Sequence, residues 1–130
     1  METTDYVKLW DDEFCEQHVV AMVNRITNIL KRMNRDTHSC IDIGANVGKV
    51  YDLVSENVNI KNAYMYEASP ILFEYLQSKY KDRDNVHLTH AAVCNEKGQV
   101  DFYEGSITHQ VQENNPAPNL GLSKIIGSPY

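Results

Sequence analysis

Cysteine is scarce: Cys15, Cys40 and Cys94 are the three in 130 residues. They are odd in number, widely spaced and form no C-x-x-C pair, which argues against a disulfide framework and a thiolate metal knuckle. The expectation is reduced thiols in a cytoplasmic setting. Long apolar runs are also lacking. No stretch approaches the roughly 18 consecutive apolar residues that a membrane-spanning helix needs, and Met1-Glu2-Thr3-Thr4-Asp5 has no apolar leader segment. Basic charge is in deficit. Twelve Lys and Arg face 18 Asp and Glu, for a formal net charge of −6. That balance argues against non-specific nucleic-acid binding, which draws most of its affinity from cation contacts to phosphate. Repeats and low-complexity tracts are missing as well.

What remains has globular proportions, with 42% hydrophobic and 23% charged residues. One domain over 1–130 is the default for this length. Such a chain can bury roughly two-thirds of its unfolded surface, enough for a core without staples.

Residues 11–34 predict an amphipathic helix. Val19, Val23, Ile26, Leu30 and Met33 follow one another at steps of four, three, four and three, which puts them on one face. Asp11, Asp12 and Glu13 stand at its start, where the helix dipole favours acids. Arg35–Ser39 is a polar connection, so 1–37 forms an N-terminal helical region. Cys40–Ile43 then reads as a short strand, Gly44–Gly48 as a tight loop, and Lys49–Asn57 as a helix. Ala63–Tyr66 is a second strand ending at Glu67. Ser69-Pro70 starts another helix, Ser69 as N-cap and Pro70 at the first helical position, where its missing N–H is harmless. Val86, Leu88, His90 and Ala92 alternate as a third strand, and Gln99–Tyr103 as a fourth.

This order predicts an α/β fold. Strands separated by helices imply a parallel sheet core, order 3-2-1, with right-handed crossovers over 38–103. An N-terminal helix precedes it and a β-hairpin-like extension follows. From Glu104 the character changes. The segment 104–130 holds three of four prolines, three of six glycines and three charged residues, and reads as loop or tail with a short apolar patch at Leu120–Ile126.

The strand–loop–helix at 40–57 is a ligand-binding device. Gly44 and Gly48 remove side chains, so a ligand can approach the main chain. Glu67 closes the next strand, 19 residues beyond Gly48. That is near the spacing of about 20 at which a carboxylate accepts hydrogen bonds from ribose hydroxyls in nucleoside-binding βαβ units. A phosphate-binding G-x-x-x-x-G-K-[ST] loop fails twice, since three residues separate the glycines and Val50 follows Lys49. A dinucleotide G-x-G-x-x-G loop also fails twice, at Asn46 and Lys49.

His87 and His90 form an H-x-x-H string. On a strand, residues three apart face opposite ways, which argues against a shared metal. No metal site is expected.

The string Asp42-Ile43-Gly44-Ala45-Asn46-Val47-Gly48 resembles the first motif of the class I S-adenosylmethionine-dependent methyltransferases, and within them the FkbM family. The resemblance continues through Tyr66-Glu67-Ala68-Ser69-Pro70, Asn85–Val93 and Gly98–Tyr103, and covers about residues 38–105. It implies a partial Rossmann-like methyltransferase fold with S-adenosyl-L-methionine as cofactor. It further implies O-methyl transfer to a small-molecule or glycan hydroxyl. Asp42, Gly44, Ala45, Asn46 and Gly48 would face the methionine and sulfonium side, Glu67 the ribose, and Ala68 with Ala91 and Ala92 the adenine. No catalytic base is assigned. The family's later D-x-E-G string does not occur in this chain. The expectation is therefore a cofactor-binding half whose Cys40–Ile43 strand lacks its usual neighbour. Such a chain would rely on a C-terminal half, on self-association or on a protein partner.

Overall fold

The computed structural model describes residues 13–95, 97–99, 101–103 and 124–126, with side chains described for 17–95 and 97–99. The chain divides into two compact units, 1–93 and 94–130.

The first unit is α/β. Its elements are α1 (Glu13–Arg32), β1 (His38–Ile43), α2 (Lys49–Asn57), β2 (Ile60–Glu67), α3 (Pro70–Lys79) and β3 (Val86–His90). The three strands form an open parallel sheet in the order β1-β2-β3. Cys40 lies beside Ala63, Asp42 beside Met65 and Ile43 beside Tyr66; across the next pairing Met65 meets Leu88 and Glu67 meets His90. Parallel neighbours need a crossover, and α2 and α3 provide the two crossovers.

All three helices contribute to one core. Val23 of α1, Tyr51 and Val54 of α2, and Leu76 of α3 cluster with Ile60, Ala63 and Met65 of β2 and with Ala45 and Tyr80. Strand residues alternate between faces. The other face therefore carries Ile41 (70% exposed), Ile43 (61%) and Tyr64 (41%). Tyr64 stacks on His87 there, with ring centroids 4.8 Å apart.

Local chemistry explains the boundaries. Ser69 caps α3 by accepting from the Leu72 N–H at 3.2 Å, with Pro70 next to it as expected. Gly48 precedes α2 in the left-handed region and offers no side-chain cap. At the other end the Asn57 amide donates to Leu53 O, covering a terminal carbonyl.

Two expectations need correction. The apolar spacing picks out the buried row of α1 only in part: Val19, Val23 and Leu30 do pack on the core. Val23 and Thr27 are buried, whereas Ile26 and Met33 are 38% and 50% exposed. Thr27 tolerates burial because its hydroxyl donates to Asn24 O within the same helix turn. Met22, Ile26, Ile29 and Met33 form a second, exposed apolar row. The segment 104–130 is also not loop throughout. In the second unit β4 (Asp101–Tyr103) pairs antiparallel with β5 (Lys124–Ile126), a two-stranded sheet of its own. The Ile125-Ile126 pair supplies the β-branched residues that favour a strand. The expected helix start at Asp11 and Asp12 and the expected loop over 104–123 lie outside the described residues.

Candidate functional site at the carboxyl edge of the sheet

The carboxyl ends of the three strands bring Asp42, Glu67 and His90 to one edge. The loop Gly44–Gly48 leaves β1 there. It turns sharply, and three of its five residues have positive φ: Gly44 at 75°, Asn46 at 52° and Gly48 at 77°. Glycine adopts this region without penalty and asparagine is the side-chain residue that tolerates it best.

The loop is stitched to the end of β2. Gly44 N and Ala45 N both donate to Tyr66 O, at 2.8 and 3.0 Å. Asn46 N donates to Glu67 Oε2 at 2.7 Å, and Ser69 N donates to Glu67 Oε1 at 2.8 Å. The Glu67 carboxylate, 7% exposed, thus joins the glycine loop to the start of α3. Each of its oxygens takes one backbone donor and keeps capacity for a second.

Two acceptors in the same region have no donor. Asp42 Oδ2 and Asn46 Oδ1 are both buried and lack a hydrogen-bond partner. Burial, and then the neighbouring Glu67 charge, raises the Asp42 carboxyl above its ordinary range. Burial and the Asp42 charge likewise push the Cys40 thiol up. Unpartnered buried acceptors cost free energy. Two of them beside a carboxylate make this edge electron-rich and suited to N–H or O–H donors.

On the β3 side, Ala91 N donates to Glu67 O at 3.1 Å and His90 Nε2 lies 3.1 Å from Ala68 O. With a carbonyl as partner, Nε2 carries the proton. The His90 ring stacks on Phe73, centroids 4.8 Å apart and 13° from parallel. Ala68 and Ala92 are both half-buried.

Hydrogen bonds therefore link Gly44, Ala45, Asn46, Glu67 and Ala68 into one edge site, with Asp42 coupled to Glu67 electrostatically and Gly48 closing the loop through its N–H to Ala45 O. Ala92 follows Ala91, whose N–H donates to Glu67 O. The sequence reading missed Phe73 and His90 as members of this edge. The signal was present for His90, which ends the strand beside the one that ends in Glu67. Among the described residues no three His, Cys, Asp or Glu side chains converge to hold a metal, and no helix is long and apolar enough to cross a membrane.

A separate cavity of about 250 Å³ lies at the amino end of β1, lined by Lys31, Asn34, Arg35, Asp36, His38 and residues 57–59. Its lining mixes both charges and includes none of the edge residues. No protein-family model matches the chain, and no curated protein matches it.

Proposed function

We propose that this chain forms the cofactor-binding part of an S-adenosyl-L-methionine-dependent methyltransferase of FkbM type, on a partial Rossmann-like sheet. The observation that carries the reading is the electron-rich edge. The partnerless oxygens of Asp42 and Asn46 fit the ammonium of the cofactor's methionine moiety. The spare lone pairs of Glu67 fit the two ribose hydroxyls. Ala68, whose carbonyl meets the His90 ring, and Ala92 have small side chains that suit a flat base near the Phe73–His90 stack. The open parallel sheet supports the same reading, because such sheets bind ligands beyond the carboxyl ends of their strands.

The cofactor supplies an electrophilic methyl group on a sulfonium. The chain's residues would hold and orient it: Glu67 would fix the ribose, and Asp42 would offset the positive charge. Alignment of this kind is the larger part of catalysis when the donor is already reactive. The acceptor is a hydroxyl of a small molecule or glycan, and the residues that bind and deprotonate it are not among those assembled at this edge.

Calorimetric titration of the chain with S-adenosylhomocysteine tests the proposal. One-to-one saturable binding is expected, with Glu67→Ala weakening it at least tenfold. A folded chain that binds nothing refutes it. A second reading is a methyltransferase-like module that binds a protein partner, or a second copy of itself, without catalysis. It is favoured by Ile41 and Ile43 standing exposed on β1, a strand paired on one side only among the described residues. Sedimentation separates the two, since a monomer that binds the cofactor analogue and transfers methyl groups rules out the second.

A further inference from the structure

The loop that holds the edge together is gripped a second time, from the far end of α3. Lys79 Nζ donates to Val47 O at 2.7 Å and to Asp52 Oδ2 at 2.5 Å. The Tyr80 hydroxyl lies 2.8 Å from Asp52 Oδ1 and 3.1 Å from Gly48 O, and its one proton serves these two acceptors. Asp52 sits in the first turn of α2, so both of its oxygens are held by consecutive residues of α3 and its C-cap. Tyr80 is itself fixed: it is 6% exposed and meets the Tyr51 ring edge-on at 5.5 Å. Burial and the Asp52 contact push its hydroxyl well above the usual tyrosine range, so it stays a donor.

The contact at Gly48 is unusually close. A Cβ there would stand 2.1 Å from the Tyr80 hydroxyl oxygen. Tyr80 therefore occupies the space a side chain would take, and holds the carbonyl of a residue that is already in the left-handed region. Backbone in sparsely populated conformations persists only where its surroundings over-determine it. Here the surroundings are Glu67 and Tyr66 on one side and Lys79 and Tyr80 on the other.

We propose that Lys79 and Tyr80 are positioning residues that keep the Gly44–Gly48 loop in its ligand-ready shape before any ligand arrives. The inference rests on the loop being the cofactor site, and it deepens that reading by naming the residues that pre-organise it. Pre-organisation raises affinity by removing the ordering cost from the binding step.

Tyr80→Phe keeps the ring and removes the hydroxyl, and Lys79→Met keeps the stem and removes the charge. Two measurements are made on each variant: S-adenosylhomocysteine affinity by calorimetry, and amide hydrogen exchange without ligand. The amides of Gly44, Ala45, Asn46 and Gly48 are all hydrogen-bonded, so each reports on the loop. The expected result is about tenfold weaker binding, the effect of one lost hydrogen bond to a charged or constrained group. Loop amides exchange faster while the Met65 amide in β2 is unchanged, and Lys79→Arg recovers most of the affinity lost in Lys79→Met. Binding within twofold of the unaltered chain, or exchange that quickens equally in β2, overturns the proposal. If the unaltered chain binds no S-adenosylhomocysteine, the methyltransferase reading fails by itself. Loop exchange then decides the positioning role, since selective quickening supports it and unchanged protection refutes it.

Discussion

Replacing each loop glycine with alanine separates backbone strain from the contact with Tyr80. Gly44 and Gly48 have nearly the same backbone, φ 75° and 77°. An alanine at either position costs about 1–2 kcal/mol from the left-handed conformation alone. Their surroundings differ completely. A Cβ on Gly44 meets nothing within 4 Å, whereas one on Gly48 meets the Tyr80 Oη at 2.1 Å, Cζ at 2.9 Å and Cε2 at 3.0 Å. Tyr80 cannot swing aside without leaving Asp52 and Tyr51, so overpacking adds about 1–3 kcal/mol at Gly48. The assay is urea unfolding followed by circular dichroism. With a slope of about 1.5 kcal/mol per molar for a small domain, Gly44→Ala lowers the midpoint by about 1 M and Gly48→Ala by about 1–2 M more. In a Tyr80→Leu background the extra penalty at Gly48 shrinks by about 1 kcal/mol or more, a coupling that a double-mutant cycle reads directly. Equal costs at the two glycines, or no coupling to residue 80, would refute the claim that Tyr80 fills the space beside Gly48.

Two further outcomes follow from burial and charge. Val23→Ala in α1 costs about 1–3 kcal/mol, whereas Ile26→Ala, from a residue 38% exposed, costs less than half as much; thermal unfolding that ranks them the other way would restore the stripe read from spacing. Asp42 has its carboxyl raised above the ordinary 3.8, so between that value and its folded value the native state holds more protons than the unfolded chain. Stability from this group is full below about pH 3.8 and is lost as pH rises through the folded value, so Asp42→Asn raises the melting temperature at pH 7 and removes that part of the pH dependence. An unchanged pH profile would show that the carboxyl is not desolvated.

The glycine loop was legible because every feature of it is local. An acid in a short apolar strand, two glycines separated by three residues and a helical pattern afterwards occupy 16 consecutive positions, 42 to 57. Glu67 was legible through strand-to-strand spacing, and Ser69-Pro70 through capping chemistry. The two stripe residues on α1 that miss the core, Ile26 and Met33, have a different origin. Met22, Val23, Ile26, Ile29 and Met33 leave two overlapping apolar rows, and only contact with α2 selects the row that includes Thr27. Spacing alone treats a threonine as polar, yet its hydroxyl is satisfied within the helix. Lys124–Ile126 was hidden because three residues are too few for an alternating pattern to register. Tyr80 and Lys79 were illegible for a topological reason. They lie 32 residues from the loop atoms they hold, and the end of α3 carries no motif that announces it.

These observations join into one energetic argument. The edge combines a buried carboxyl with raised proton affinity, two acceptors without donors and a loop with three left-handed residues. Each is a local cost of order 1–3 kcal/mol. Packing alone gives no reason to gather such features at the carboxyl ends of β1 and β2, because an apolar residue at position 42 would stabilise the core without them. The clamps formed by Glu67 at one end and by Lys79 and Tyr80 at the other offset the strain, and they hold the unsatisfied oxygens in place instead of relieving them. A ligand that brings donors to those oxygens would recover the stabilisation the folded chain forgoes. Asp42→Asn should therefore melt higher yet bind the cofactor analogue more weakly, and a variant that gained both stability and affinity would break the link between them.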